Sequence, residues 1–267
     1  MATKRIAGPQ GEIALEDEGG GPALPVVLVH SDSGSKELWS DTVRHLAPSR
    51  RVVALDLRGH GGSAPPGDGD FSFDGRAEDI EAVADALGLD RFVIVGHSGG
   101  GGAALAMAAA HPERVAGLLL VDPVADPAAI PEEARKGALA ALATPQFRKV
   151  AGDYYRSIAG PEQATLDRVL AALERTPQAT ILGDMTALDA FEPSHYADRY
   201  AGPVLSIVLP ANDTPHALHN ILGFPHLVFE EPGVGHWLHL DRPEAFHHEL
   251  DSFLDAIDAG ERAAGED

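Results

Sequence analysis

Cysteine is absent from the 267 residues. This excludes disulfides, thiol catalysis and cysteine-ligated zinc. Basic residues are scarce: 20 Lys and Arg stand against 41 Asp and Glu, a formal net charge of −21. Such a surface repels the backbone of nucleic acid and disfavours anionic membranes, so neither is an expected partner. No apolar run approaches the length of a bilayer span. The opening Met1-Ala2-Thr3-Lys4-Arg5 leads into no long apolar segment, so no signal peptide is read and a soluble, cytoplasmic setting is expected. The motif H-E-x-x-H is also missing. His216 and His219 lie three apart and His247 and His248 are adjacent, but a metal centre needs three converging ligands with second-shell support. The histidines are therefore read as scattered surface residues, and no metal or cofactor is expected. There are no internal repeats and no Gly-Ser linker.

What is present is an alternation of short apolar runs and helical segments. Ile13–Glu18 reads as an early strand. Val26–His30, Arg51–Asp56, Arg91–Val95 and Val115–Val121 are short, largely apolar runs, the third β-branched, as strands buried on both faces are. Between them, Lys36–Leu46 and Asp74–Leu87 carry helical spacing, the second with Ile80, Val83, Ala84 and Leu87 on one face. This βαβ pattern predicts a mostly parallel sheet flanked by helices, an α/β fold. From Pro123 to Gly202 no buried strand is read. Glu132–Ala143, Gln146–Ile158, Gln163–Arg175 and Ala179–Leu188 read instead as helices, predicting an inserted lid over 123–202 on a core made of 1–122 and 203–267. Val204–Leu209 and His226–Glu230 resume the sheet, Pro243–Ile257 is the closing helix, and Asp258–Asp267 reads as a frayed acidic tail.

The chemistry concentrates at Gly96-His97-Ser98-Gly99-Gly100, a G-x-S-x-G motif. It lies between the Arg91–Val95 strand and the helix-forming run Ala103–Ala110. A serine at such a strand–turn–helix junction is pushed out at the carboxyl end of a sheet, above a helix N-terminus that favours negative charge. A serine hydroxyl needs a base, a group that orients the base, and donors for the oxyanion. His236 follows the last strand in the glycine-rich Gly233-Val234-Gly235 loop and is the candidate base. The backbone N–H groups of Gly99 and of Asp32, in the loop His30–Ser35, are the candidate oxyanion donors, with the Asp32 carboxylate expected to point away. Asp56, Arg58 and His60 are read as braces of their own turn. Trp237 and Ser31 are candidate pocket residues.

With these residues in order, the chain resembles the α/β-hydrolase superfamily. The carriers are the His30–Gly34 loop, Asp56-Leu57-Arg58-Gly59-His60-Gly61-Gly62-Ser63, the Gly96–Gly100 elbow, and Gly235-His236 ahead of Asp241-Arg242-Pro243-Glu244. The resemblance implies the fold, a Ser…Asp/Glu…His order and a serine branch such as the esterases, lipases and carbon–carbon hydrolases. It departs at Ser31, where the family usually has glycine, and at the acid. Counting from Pro203 puts Asn212 at the usual acid position. Asp213, one residue later, is the first candidate, and Asp122, at the end of the Val115–Val121 strand, is the second. The reaction expected is hydrolysis of a small-molecule carboxylic ester through an acyl-enzyme. Carbon–carbon or lactone hydrolysis and a degenerate binding protein are the alternatives, and a homo-oligomer is compatible with either.

Overall fold

The computed structural model describes residues 3–264. In chain order, β1 (Lys4–Ala7), β2 (Glu12–Glu18) and β3 (Val26–Val29) are followed by α1 (Ser40–Leu46), β4 (Val52–Leu55) and α2 (Phe73–Ala86). Then come β5 (Phe92–His97), α3 (Gly99–Ala110) and β6 (Val115–Val121). Four helices follow: α4 (Glu132–Leu142), α5 (Phe147–Ile158), α6 (Gln163–Arg175) and α7 (Gln178–Asp189). The chain ends with β7 (Val204–Val208), α8 (Leu218–Leu222), β8 (His226–Val228), α9 (Leu238–Asp241) and α10 (Pro243–Ala264).

The strands form one eight-stranded sheet in the order β1-β2-β4-β3-β5-β6-β7-β8. β1 and β2 pair antiparallel, β2 joins β4 antiparallel, and every pair from β4 to β8 is parallel. Strands β3 to β6 are buried throughout, and apolar but for His97, because helices cover both faces. One face packs Val27, Val29, Ile94, Leu118 and Leu120 on α2 and α3. The other packs Val26, Leu28, Val93, Val95 and Leu119 against Trp39, Phe246, Leu250 and Leu254.

The topology decides where the site lies. From β3 the chain crosses to β4 on one side, and then to β5 on the other side of β3. The loops leaving β3 and β5 therefore diverge, and this switch point opens a crevice at the carboxyl ends of the strands. Residues 31–35 and the Ser98 turn border that crevice.

Between β6 and β7 the described residues contain helices and no strand. They carry a small core of their own from Leu142, Ala151, Leu173 and Ile181. The expected frayed tail is corrected. α10 runs through Ala264, with Leu254 and Ile257 buried against the sheet and Arg50 paired to Asp258 at 2.9 Å. Residues 265–267 lie outside the described part.

Candidate active site

Ser98 stands between β5 and α3 with φ 54° and ψ −120°, a left-handed conformation that costs a serine about 1–3 kcal/mol and is held by its surroundings. Its N–H donates to Val121 O at 3.0 Å, and its carbonyl accepts from Gly101 and Val124. The turn tolerates no side chain at Gly99, where a Cβ would collide with the carboxylate of Asp32. Gly99 opens α3 with its N–H free of an intrahelical acceptor. Among the described residues neither this N–H nor that of Asp32 donates to another protein group.

The loop carrying Asp32 is clamped on every side. His30 Nδ1–H donates to Ser31 O at 2.7 Å, and its Nε2 accepts from Leu57 N–H at 3.0 Å. This makes the ring neutral; burial, helped by nearby His60, pushes it down to about 3. His60 Nε2 accepts from Ser33 N–H at 3.0 Å, and Tyr155 of α5 donates its hydroxyl to Asp32 O at 3.1 Å. Ser31 does not distort this loop. The residue with positive φ there is Ser33, at 53°, so a side chain at 31 meets no left-handed penalty. Ser31 is 3 % exposed with an unpartnered Oγ, so it does not line an open pocket.

His236 is brought to Asp122 and not to Asp213. Its Nδ1–H donates to Asp122 Oδ2 at 2.6 Å. The Asp122 carboxylate is fully buried, and it also accepts from Leu209 N–H at 3.1 Å and from the Asn212 amide at 2.8 and 2.9 Å. Burial alone would push this carboxyl up; His236, Asn212 and Leu209 N–H more than reverse that and hold it below its ordinary range. Asn212, at the position where an acid was sought, therefore holds the acid contributed by β6. Asp122 itself takes φ 39°, a conformation that a short polar residue tolerates best. Asp213 faces the other way, accepting from His219 Nε2–H at 3.0 Å and from Asn220 at 3.2 Å.

Asp213, His219 and His226 bring ligand atoms within 4.8 Å of one another. A metal on His219 Nε2 would put the ring proton on Nδ1, which is buried with no acceptor, so this donor set lacks the support a metal-bound imidazole takes.

The rest of the site was not legible from motifs. His97, the variable residue of the elbow, donates from Nε2 to His236 O at 2.9 Å, with ring centroids 4.7 Å apart. Burial next to His236 and His239 pushes it well down, so it stays neutral. The His236 N–H is held by Ile158 O, the end of α5, at 2.9 Å, and Gly235 lies so close to Gly160 that no Cβ fits between them. Trp237 is 1 % exposed and stacks edge-on to Tyr155 at 5.4 Å, so it supports the site from behind rather than lining it. Asp56 and Arg58 do brace their turn, through Lys36, Gly62 and Asp79.

The Asp32 carboxylate does not point away. Arg76 of α2, fully buried, donates to Asp32 at 2.7 Å and to Asp184 of α7 at 2.8 Å. Asp184 Oδ2 lies 3.1 Å from His60 Nε2.

A family profile described as the alpha/beta hydrolase fold matches residues 25–243, from β3 through the His236 loop. The chain belongs to the α/β-hydrolase family. This hydrolase is 30% identical over 258 residues to the sn-1-specific diacylglycerol lipase ABHD11 of Mus musculus, covering 88% of this chain and 82% of that protein. It is 38% identical over 110 residues to the 2-hydroxymuconate semialdehyde hydrolase of Pseudomonas sp., a match spanning 40% of this chain and 38% of that protein. Among solved structures, an N-acyl homoserine lactone degrading enzyme superposes with a TM-score of 0.81 at 25% identity, covering 94% of this chain and all of the other. The esterase from Exiguobacterium antarcticum superposes with a TM-score of 0.82 at 22% identity over 96% of this chain and 100% of the other, a likeness of fold. No helix among the described residues is long and apolar enough to cross a membrane.

Proposed function

We propose that this hydrolase cleaves carboxylic esters of small molecules through an acyl-enzyme formed on Ser98. The observation that carries this reading is the 2.6 Å contact of His236 Nδ1–H with buried Asp122. It fixes the proton on Nδ1 and leaves Nε2 as the acceptor for a serine proton. His236 then takes the proton as Ser98 Oγ attacks the carbonyl, and Asp122 stabilises the imidazolium. The free N–H groups of Asp32 and Gly99 hold the oxyanion, with no reorganisation at the moment of reaction because His30, His60 and Tyr155 already fix the loop. The imidazolium gives its proton to the leaving alcohol, and a water activated by His236 releases the acid. The helices between β6 and β7 act as a lid, tied to the core where Tyr155 meets Asp32 and Ile158 meets His236.

Hydrolysis of p-nitrophenyl esters from acetate to long acyl chains, with Ser98→Ala alongside, tests this. Turnover that disappears in the variant supports the reading; undiminished turnover in Ser98→Ala sinks it. A second reading, lactone or semialdehyde cleavage by the same residues, draws support from relatives named for those substrates. It moves ahead if no open-chain ester is cleaved while a serine-directed phosphonate still labels Ser98.

A further inference from the structure

A carboxylate beside two oxyanion donors opposes the charge they are meant to hold, so its presence calls for a use. The Asp32 side chain is 17% exposed, whereas its partners Arg76 and Asp184 are 0% and 2% exposed. Gly99 covers one face of the carboxylate and Arg76 takes one edge. The remainder is open to solvent. Tyr154 of α5 lies near enough that, with burial as the larger cause, the charges of Asp32 and Asp122 push its phenol up.

The charge count of the cluster turns on His60. Asp32 and Asp184 share the one guanidinium of Arg76. His60 supplies a second positive charge only by giving up the hydrogen bond from Ser33 N–H that fixes the oxyanion loop. Burial would push His60 down, but Asp184 more than reverses that and raises it, so the loop bond and the ion pair compete for Nε2; in the loop-bonded state the cluster carries one more carboxylate than cation, at the rim of the oxyanion site. Burial pushes the Asp32 carboxyl up, against the pull of Arg76, and Asp184 adds to the rise. A positive charge brought in by a ligand would balance the extra carboxylate, and the net charge of −21 draws such ligands toward the molecule.

We propose that Asp32 selects substrates bearing an ammonium group on the atom next to the scissile carbonyl, as in an α-amino acyl ester. This rests on the serine-hydrolase reading. With the carbonyl oxygen on the N–H groups of Asp32 and Gly99, the neighbouring carbon lies beside the same residue whose backbone holds that oxygen. An ammonium there pairs with the open edge of the carboxylate. It also offsets the repulsion between Asp32 and the developing oxyanion, so the pairing strengthens as the transition state forms. A plain acyl group leaves the open edge of the carboxylate unpaired.

The test uses two diphenyl phosphonates that differ only by an α-amino group, with inactivation rates followed by intact mass and normalised to each probe's own alkaline hydrolysis. The wild type is expected to react at least about tenfold faster with the amino probe while the amine is protonated. The preference should fade as the amine loses its proton, and Asp32→Asn should bring the ratio close to one. Equal rates in the wild type overturn the proposal, as does a preference that Asp32→Asn leaves intact. If Asp32→Asn does not fold, a second amino probe whose amine loses its proton at lower pH decides: the preference must fade at the lower pH with that probe, because Arg76, Asp184, His60 and the two tyrosines titrate independently of which probe is used, and a fade at the same pH for both overturns the proposal. Labelling of Ser98 without preference refutes only the selectivity; no labelling by either probe refutes the serine-hydrolase reading and the selectivity with it.

Discussion

Replacing Asp122 by asparagine separates the two acids considered for the site. Leu209 N–H is fixed in the backbone and points at Oδ1, so the amide oxygen of the new side chain must occupy that position. The amide NH₂ then lands where Oδ2 now faces His236 Nδ1. It donates to that nitrogen and drives the ring proton to Nε2. An imidazole in that tautomer has no lone pair for the serine proton. The fall in kcat should be about a thousand- to ten-thousandfold, as for the equivalent change in a serine protease triad. This is roughly 4–5.5 kcal/mol of lost transition-state stabilisation. Asp213→Asn, by contrast, perturbs only the His219 and Asn220 contacts and should alter kcat by less than about threefold, since neither contact reaches His236. Steady-state rates on the best p-nitrophenyl ester measure both. Equal losses in the two variants, or a larger loss in Asp213→Asn, would refute the assignment of Asp122.

Two further outcomes follow from buried charge. Arg76→Met should destabilise the fold by about 3 kcal/mol, because it removes the guanidinium that Asp32 and Asp184 share and leaves Asp184 only His60. Urea titration measures it, and Asp184→Asn added to Arg76→Met should recover part of the loss; full stability in the single variant would contradict the network. The second concerns His30, held neutral with its value near 3, against about 6.5 for an unfolded histidine. Between those values the unfolded chain binds the extra proton, so this contribution is complete above about pH 6.5 and is lost as pH falls toward 3. The stability of the wild type should therefore decline more steeply than that of His30→Gln on acidification, by up to about 1.4 kcal/mol per pH unit. Parallel slopes in denaturant titrations from pH 6 to 4 would contradict a buried neutral ring.

Much of the fold was legible because its signals are local. Four continuous apolar runs became β3 to β6, and the run of small residues after Ser98 became α3. Such segments are determined by residues within a few positions of one another. The elbow and the His236 loop were legible for the same reason. β1 was missed because Lys4–Ala7 is a largely exposed edge strand, made by pairing with β2 rather than by its own pattern. The tail beyond Ile257 was read as frayed from its acidic composition, yet it continues α10 because the helix lies along the sheet and pairs Asp258 with Arg50.

By itself the sequence determined the central sheet strands, the elbow turn, the candidate base and the lack of thiol chemistry. Only the tertiary structure decided which carboxylate meets that base. Asp122 and Asp213 are far apart in the chain, and as letters Asp213 came first. Their fates depend on the register of β6 on β7 and on the turn that swings Asn212 inward and Asp213 outward. The same holds for Asp32. Its neighbours in sequence predict a loop residue with its carboxylate turned away. Arg76 and Asp184, brought in by α2 and α7, instead hold that carboxylate against Gly99. A charged group acts over distances set by packing, not by sequence separation, so its partners are known only once the chain has folded.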